Sequence, residues 1–387
     1  MLRSRFQMFF RWLVTAVAVF ALFLSGLGIF VAPVDMTGDG HTVKNVIMFI
    51  GDGMGFNHLE KTKAERGIEK LNMERFPVLA ESETNSLWCT TTDSAAGGTA
   101  LSCGIITQNR ALATFGYDMG GKLARPYIVT DIAIEKGMKT GIVTTDSTDG
   151  ATPASFSVHT SDRGNSEDIS VQQAASEIDL IWGAVCSTMT ADLVAASGKK
   201  LVTDRESMNA LEPDEKSIGQ FGGETWRTSP EDADVVQLEE MAMKAIELLS
   251  ENNDNGFFLM IEGAHIDKRS HSNDGDGMTD ALVEFDKTIG EVLEYAEEDG
   301  NTAIIITADH ETGGITLKDG EYVFTKSGHS SANVPVFAYN TGDYIENGDV
   351  FKNTNVAKVE AALITGEIDT LPAVYNVRKG KAFSYGD

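Results

Sequence analysis

The chain has 387 residues, of which 42% are hydrophobic and 23% charged, so it can build a full hydrophobic core and is not globally disordered. Its 58 acidic and 31 basic residues give a formal net charge of −27, which argues against nucleic acid as a specific partner, because binding the phosphate backbone needs a basic surface. With only three cysteines, the chain is not a disulfide-rich scaffold.

We interpret residues 1–36 as an export segment that is separate from the fold. Arg3, Arg5 and Arg11 precede an apolar run over residues 12–32, and positive charge followed by an apolar stretch is typical of a signal peptide. The run is also long enough for a spanning helix, so a cleaved signal peptide and an uncleaved membrane anchor both stay open. Either one predicts that the rest of the chain is exported, to the periplasm or the extracellular space.

Beyond the export segment, short apolar runs alternate with helical patterns. Strands are predicted at residues 43–50, 140–144, 257–261, 303–307 and 334–338, and helices at 128–136, 236–250 and 280–298. The alternation predicts an α/β fold, a three-layer sandwich whose large, mostly parallel central sheet is flanked by helices on both faces. We predict a single domain over residues 37–387, with a less regular, more polar elaboration near residues 164–228.

Two segments early in the chain hold candidate metal-binding or catalytic residues. Asp52 lies in a Gly-Asp-Gly-Met-Gly segment directly after the first strand, where a carboxylate can hold a cation, although an ordinary Gly-Asp turn has the same pattern. Ser94 precedes a run of small residues that is typical of a helix start, where free backbone N–H groups suit a phosphate or a serinate. The alternative is that Ser94 or Asp93 only caps this helix.

Later segments add an arginine and a concentration of carboxylates and imidazoles. The guanidinium of Arg163 could donate two hydrogen bonds to a phosphate, although a surface arginine is the alternative. Asp267 and His271 are four residues apart, so one helical turn could direct both at one ion. The full set of candidate donors is Asp52, Glu262, Asp267, His271, Asp309, His310 and His329. It is large enough for two zinc sites with nitrogen and oxygen ligands and one all-oxygen site.

These segments resemble those of the alkaline phosphatases, in the same order, from about residue 43 to about residue 340. The corresponding segments are GDGMG, TDSAAGGTA, ATPA, HTSDR, EGAHIDKRSH, TADH and GHSS. The resemblance implies that Ser94 is the nucleophile, that Arg163 holds the phosphate, and that Asp93 orients Arg163. It implies that the ligands of one zinc are Asp267, His271 and His329, and those of the second are Asp52, Asp309 and His310. The implied magnesium ligands are Asp52, Thr152 and Glu262, with Lys268 close to the magnesium and the phosphate.

The resemblance also implies an activity: broad hydrolysis of small phosphate monoesters through a phosphoserine intermediate. The implied cofactors are two Zn²⁺ and one Mg²⁺, with Co²⁺ possible at the paired site, and the implied assembly is a homodimer. One position departs from the family pattern. Gly150 stands where members often carry Asp or His near the magnesium, and Asp149 comes one residue too early. The departure leaves the identity of the third metal open.

Other functions remain as alternatives. Phosphodiesterases and sulfatases of the same superfamily share the two-metal frame, but diesterases usually carry Thr as the nucleophile and sulfatases need a Cys- or Ser-derived aldehyde. An inactive, membrane-tethered metal-binding protein is the alternative from another class. Ser94, Thr152, Arg163 and Glu262 together favour a monoesterase over the diesterases and sulfatases. Every catalytic position of the family is filled, which argues against an inactive protein.

Overall fold

A computed structural model of the chain describes residues 40–115, 125–222 and 236–367. The predicted export segment and the last residues of the predicted elaboration lie outside these ranges. Within them, no helix combines the length and the apolar character that a bilayer crossing requires. All the described residues belong to one compact unit.

Fourteen strands and eleven helices occur in the described ranges. The strands are β1 (Asn45–Gly51), β2 (Val78–Glu83), β3 (Lys139–Ser147), β4 (Leu180–Ala184), β5 (Lys200–Val202), β6 (Ser217–Phe221), β7 (Phe257–Gly263), β8 (Thr302–Thr307), β9 (Glu311–Thr312), β10 (Thr316–Lys318), β11 (Glu321–Val323), β12 (His329–Ser330), β13 (Val334–Tyr339) and β14 (Val350–Lys352). The helices are α1 (Phe56–Arg66), α2 (Ser94–Cys103), α3 (Val129–Glu135), α4 (Ala151–Ser155), α5 (Ser166–Ala175), α6 (Ala191–Ser197), α7 (Arg205–Asn209), α8 (Leu238–Ser250), α9 (His265–His271), α10 (Gly275–Asp299) and α11 (Thr354–Thr365).

Ten of the strands form one sheet in the order β14-β2-β13-β8-β1-β7-β3-β4-β6-β5. Every neighbouring pair is parallel except the two pairs made by β13, which runs antiparallel to β2 and β8. The five strands predicted from sequence are β1, β3, β7, β8 and β13. They occupy five consecutive positions in the sheet, in the order β13-β8-β1-β7-β3. The predicted mostly parallel α/β sheet is therefore confirmed.

The central strands are apolar along their whole length because helices cover both faces of the sheet. Every residue of β1 and β7 is buried, as expected for parallel strands with two covered faces. Ile47 and Phe49 of β1 pack in one large core with Leu282 and Phe285 of α10. Helix α11 also contacts β1, and the alternation of side chains along a strand gives it the opposite face.

The segment after residue 164 differs from the expectation of less regular structure. Over residues 166–221 it holds three helices, α5 to α7, and three strands, β4 to β6, which extend the sheet at one edge. These elements are only 3 to 10 residues long, so their hydrophobic patterns are too short to distinguish from polar loops in the sequence. Residues 166–221 are therefore more regular than their sequence pattern indicates.

Candidate metal and phosphate site

Neighbouring strand ends bring the predicted carboxylates together. Strand β1 lies between β7 and β8, and its last residues are in register with Gly263 of β7 and Thr307 of β8. Asp52 follows β1, Glu262 lies near the end of β7, and Asp309 follows β8. Since parallel strands end at the same edge of a sheet, the three carboxylates lie side by side there.

One group of metal-ligating side chains centres on His310. The Nε2 atom of His310 lies 3.1 Å from Oδ2 of Asp309 and 3.6 Å from Oδ1 of Asp52. Asp309 is held in place through its other oxygen, which accepts hydrogen bonds from the backbone N–H groups of Gly53 (3.2 Å) and His310 (3.0 Å). Asp309 and His310 are fully buried and Asp52 is only 6% exposed. This arrangement directs two carboxylates and one imidazole nitrogen to one point.

A second group lies around Asp267 on helix α9. Oδ2 of Asp267 lies 3.3 Å from Nε2 of His271, and Oδ1 lies 3.6 Å from Nε2 of His329. The Nδ1 atoms of the two histidines face backbone carbonyls, that of Ser327 at 2.6 Å and that of Thr92 at 2.9 Å. A donated Nδ1–H leaves the Nε2 lone pair of a neutral ring free, and both Nε2 atoms point into the group, 3.1 Å apart.

The two groups are adjacent. The rings of His310 and His329 stack with their centroids 3.6 Å apart. Donor atoms of Asp267 lie within 4.8 Å of those of His271 and His329, and also of those of Asp52 and His310. Asp267 therefore faces both groups, an arrangement that suits two neighbouring cations.

Oxygen donors extend this arrangement on the far side of Asp52. Its Oδ1 atom faces His310, whereas its Oδ2 atom accepts a hydrogen bond of 3.5 Å from the hydroxyl of Thr152 on α4. Glu262 is fully buried, and its Oε2 atom accepts a hydrogen bond from the hydroxyl of Thr144 on β3. The donors at this end are all oxygens, the type that hard cations such as Mg²⁺ prefer.

Ser94 and Arg163 flank the imidazole and carboxylate groups. The Oγ atom of Ser94, at the first residue of α2, lies 3.3 Å from Nε2 of His310, and the residue is 5% exposed. Asp93 is the cap of this helix, because its Oδ1 atom accepts a hydrogen bond of 3.0 Å from the N–H of Ala96. Its Oδ2 atom lies 3.5 Å from Nη1 of Arg163. The hydroxyl of Ser94 is thus left to face the site.

The electrostatics of the site call for positive charge. Burial raises the pKa of Asp52 well above its ordinary range, that of Asp309 to about 7 and that of Glu262 to about 8. One oxygen of each of these carboxylates (Oδ1 of Asp52, Oδ2 of Asp309 and Oε1 of Glu262) is buried without a hydrogen-bond donor among the described residues. Bound divalent cations would supply the missing partners, so the donor set fits the metals that the sequence predicts.

Several residues at this edge were missed by the sequence analysis. Asp146, near the end of β3, forms an ion pair with Lys268. Thr312 donates a hydrogen bond to Asp267 and lies 3.3 Å from Nδ1 of His310. Two sequence features could have indicated these residues. Asp146 is an acid near a strand end, and Thr312 lies just after the TADH segment.

A buried histidine, His58, contacts helix α9 through Ser270. His58 accepts a hydrogen bond of 3.1 Å from the N–H of Gly55 at Nδ1, and its Nε2 atom lies 3.2 Å from the hydroxyl of Ser270. Burial lowers the pKa of His58 to about 4, so the ring is neutral at physiological pH. Ser270 lies between Asp267 and His271 in the sequence, and the contact therefore fixes the helix that carries them. No sequence pattern points to this role for His58.

Known proteins resemble this chain over most of its length. A family model described as alkaline phosphatase matches residues 43–183 and 187–364. The chain belongs to the alkaline phosphatase family. The match extends beyond residue 340, where the resemblance seen in the sequence ends. It includes α11 except for the last residue of that helix, Thr365.

Alkaline phosphatases of two bacteria are similar to this chain in sequence. Alkaline phosphatase 3 of Bacillus subtilis is 32% identical over 74% of this chain and 65% of its own length. The Escherichia coli alkaline phosphatase is 30% identical over 69% of this chain and 70% of its own length. The chain thus spans slightly less than two thirds of the Bacillus subtilis relative.

Solved structures of alkaline phosphatases share the fold. That of the Antarctic bacterium TAB5 is 30% identical, with a TM-score of 0.74 over 84% of this chain and 99% of the other. A variant of the TAB5 enzyme, 29% identical to this chain, has Mg bound in its M3 site. The alkaline phosphatase of Thermus thermophilus, at 20% identity, has a TM-score of 0.75 over 85% of this chain and 93% of the other, which supports the fold alone.

Proposed function

We propose that this chain hydrolyses phosphate monoesters with broad specificity through a phosphoserine intermediate. The observation that carries the proposal is the position of the Ser94 hydroxyl. It lies 3.3 Å from His310, next to buried carboxylates that lack hydrogen-bond donors, and Arg163 is held nearby by Asp93. Membership of the alkaline phosphatase family supports the same activity.

The proposed cofactors are two Zn²⁺ and one Mg²⁺, with Co²⁺ as a possible substitute at the paired site. The proposed zinc ligands are Asp267, His271 and His329 for one ion and Asp52, Asp309 and His310 for the other. The proposed magnesium ligands are Asp52, Thr152 and Glu262, and the Mg in the TAB5 variant supports a third site. When bound, the metals polarise the phosphoryl oxygens and stabilise the negative charge on the attacking and leaving oxygens.

The chain's own residues position the phosphoryl group for two displacements. In the first, Oγ of Ser94 forms a bond to phosphorus as the ester P–O bond breaks, and the alcohol leaves. In the second, water attacks phosphorus, the Oγ–P bond breaks, inorganic phosphate leaves, and Ser94 regains its proton. Two in-line steps give net retention at phosphorus.

Two groups hold the phosphate during these steps. The guanidinium of Arg163 donates hydrogen bonds to two phosphoryl oxygens, a geometry that its planar fork favours. The start of α2 adds backbone N–H groups, which interact favourably with an anion at a helix N-terminus. Arg163 is partly exposed, at 31% of its side chain, so it can reach a substrate that enters from solvent.

The test is release of a chromogenic alcohol from an aryl phosphate monoester at alkaline pH. We expect the wild-type protein loaded with zinc and magnesium to turn over, chelation to abolish activity, and added metals to restore it. Ser94→Ala should lose activity by several orders of magnitude. Ser102→Ala is the matched control, since it removes a buried hydroxyl from the same helix, where Ser102 hydrogen bonds to the carbonyl of Ser155. It should stay active.

The alternatives are distinguished in the same experiment. Folded, metal-loaded protein that cleaves a diester or a sulfate ester but no monoester would replace the proposal with another reaction of the superfamily. Protein that binds metals and cleaves none of the three would support an inactive metal-binding protein.

We further propose that residues 37–387 form a single catalytic domain, exported to the periplasm or the extracellular space by residues 1–36, and that the protein is a homodimer. Cell fractionation with a size measurement of the recovered species tests export, cleavage of the segment and assembly together. Protein retained in the cytoplasm would contradict export, and a monomeric mass for the active species would contradict the dimer.

A further inference from the structure

The departure at position 150 has a structural counterpart in Asp146. Gly150 has a φ of −52° and a ψ of 147°, which any residue can adopt, so its backbone does not require glycine. A Cβ atom at this position would lie 2.5 Å from Oδ2 of Asp146 and 2.8 Å from its Cγ. The carboxylate of Asp146 therefore occupies the space that a side chain at position 150 would need.

The contacts of Asp146 connect it to the all-oxygen end of the site. Its Oδ1 atom forms the ion pair with Lys268 and accepts a hydrogen bond of 2.8 Å from the N–H of Ser147. Its own N–H donates at 2.8 Å to the hydroxyl of Thr144, which in turn donates to Oε2 of Glu262. One turn of chain thus links Asp146 both to Lys268 and to a proposed magnesium ligand.

Asp149 makes no comparable contact. It is the acid adjacent to Gly150 in the sequence, but no ion pair or side-chain hydrogen bond to it occurs among the described residues. Asp146, by contrast, is partly buried, and its Oδ2 atom faces the space beside Gly150. The acid at this end of the site is therefore supplied four residues earlier in the chain than the family pattern places it.

We propose that Asp146 is a positioning residue for the magnesium site, that it holds Lys268 beside Glu262, and that Gly150 lacks a side chain to make room for it. The inference rests on the proposed function, since it assigns a role within that metal site. The outer-shell carboxylate orients its partners and adds negative charge beside an all-oxygen donor set, which favours a hard divalent cation.

The test measures Mg²⁺ binding by calorimetry to the zinc-loaded full chain, and the rise in melting temperature that Mg²⁺ produces. Asp146→Asn keeps the shape but removes the charge, and should weaken Mg²⁺ binding by about 10–100-fold, as loss of an outer-shell partner typically does. Asp149→Asn is the matched control, since it removes the same charge from the same turn, and should leave Mg²⁺ binding unchanged.

Exchanging the residues at positions 146 and 150 gives an independent test. Gly150→Asp alone should lower the melting temperature without Mg²⁺, because two carboxylates then compete for one space. Asp146→Gly should weaken Mg²⁺ binding, and Asp146→Gly combined with Gly150→Asp should recover most of it. A merely structural role for Asp146 would not be rescued by an acid at position 150.

Either of two results would overturn the proposal: Asp146→Asn that binds Mg²⁺ as tightly as Asp149→Asn does, or a double variant that binds it no better than Asp146→Gly. The melting temperature of each zinc-loaded variant without Mg²⁺ shows whether it has folded. The readout is separate from turnover. An inactive wild type whose Mg²⁺ affinity depends on Asp146 would reject the phosphatase function and keep this inference, and an active wild type with Asp146-independent affinity would do the reverse.

Discussion

At the scale of single residues, Asp93 performs two tasks with its two carboxylate oxygens. Oδ1 caps helix α2 through the N–H of Ala96. Oδ2 lies 3.5 Å from the guanidinium of Arg163 and accepts a hydrogen bond of 3.0 Å from the N–H of Arg110. The sequence left open whether Asp93 only caps the helix, and the structure shows it in contact with Arg163 as well.

Two substitutions of Asp93 separate these tasks. Asp93→Ala should lower the free energy of unfolding by about 1 kcal/mol through loss of the cap, and should also raise KM. Asp93→Asn keeps an effective cap but turns an NH₂ group toward the donors of Arg163, so it should raise KM with little change in stability. Thermal unfolding and steady-state kinetics measure the two effects. An unchanged KM in Asp93→Asn would show that Arg163 does not depend on this contact.

Glu360 is a buried acid outside the site. It lies on α11 with no exposed surface, and no described residue donates a hydrogen bond to either of its oxygens. Burial raises its pKa well above the ordinary value. A raised carboxyl pKa in the folded state adds stability at pH values below the unfolded pKa. That contribution is lost as the pH rises from the unfolded value toward the folded one.

Glu360→Gln should therefore stabilise the protein above about pH 5 and have little effect near the unfolded pKa of Glu, about 4.3. The gain should grow by about 1.4 kcal/mol for each pH unit above the unfolded pKa until the folded pKa is reached, because Gln cannot ionise. Melting temperatures over a pH series measure it. Glu298→Gln, which removes an exposed acid from α10, serves as the control. A gain that does not change with pH would show that the charge on Glu360 is not the cause.

At the scale of elements, the small residues of α2 let this helix approach the end of β8. A Cβ atom at Gly97 would lie 2.8 Å from the carbonyl oxygen of Asp309. Ser94 begins α2, and Asp309 precedes His310. This contact therefore sets the distance between the Ser94 hydroxyl and the group of metal-ligating side chains around His310. The absence of a side chain at Gly97 is thus required by packing against backbone.

Gly97→Ala should push α2 away from Asp309 and displace Ser94. We expect kcat/KM to fall by about 10–100-fold, since shifts of about 1 Å in a catalytic group cost that much. Gly222→Ala is the matched control, because its Cβ would meet no atom of the described residues within 4 Å. Kinetics together with circular dichroism test the prediction. Wild-type kinetics in a folded Gly97→Ala protein would mean that α2 absorbs the methyl group without moving Ser94.

At the scale of the whole molecule, this chain is strongly acidic and also buries carboxylates in its interior. The formal net charge is −27, and the site buries Asp52, Glu262 and Asp309 together. Such a site is costly without cations, because each ionised carboxylate loses its hydration and repels the others. The stability of the fold and the binding of metal should therefore depend on each other.

The metal-stripped protein should lose stability as the pH rises from about 5 to about 9. Burial raises the pKa of Asp309 to about 7 and that of Glu262 to about 8, so their contributions, present below the unfolded values, disappear over this range. The hydrogen bond with Asp267 raises the pKa of His271 to about 9, and its contribution, present below about pH 6.5, is lost in the same direction.

With zinc and magnesium present the trend should reverse, because the metals bind only the deprotonated ligands. Melting temperatures over this pH range, with a chelator and with metals, measure both slopes. Parallel slopes in the two conditions would contradict coupling between metal binding and the titration of these residues. Calorimetry in buffers of different ionisation enthalpy would also show protons released on zinc binding near neutral pH.

The sequence alone predicted the main fold and the residues that we propose for the site, for local reasons. Short apolar runs predict β1, β7 and β8. The candidate metal ligands Asp52, Glu262 and Asp309 come at or just after the ends of these strands. Parallel strands must then bring these ends to one edge. The short elements between α5 and β6 were not predicted, because runs of 3 to 10 residues hold too little periodicity.

Only the tertiary structure decided which side chains share a space. Asp146 fills the place of a side chain at Gly150 and pairs with Lys268, which is 122 residues away in the chain. His58 supports α9 through Ser270, 212 residues away, and Glu360 has no hydrogen-bond partner in the part of the chain that the structure describes. A local pattern specifies an element and where it ends, whereas filling a given volume depends on close packing between distant segments. The sequence thus determined the chemistry at the sheet edge, and packing decided which residues support it.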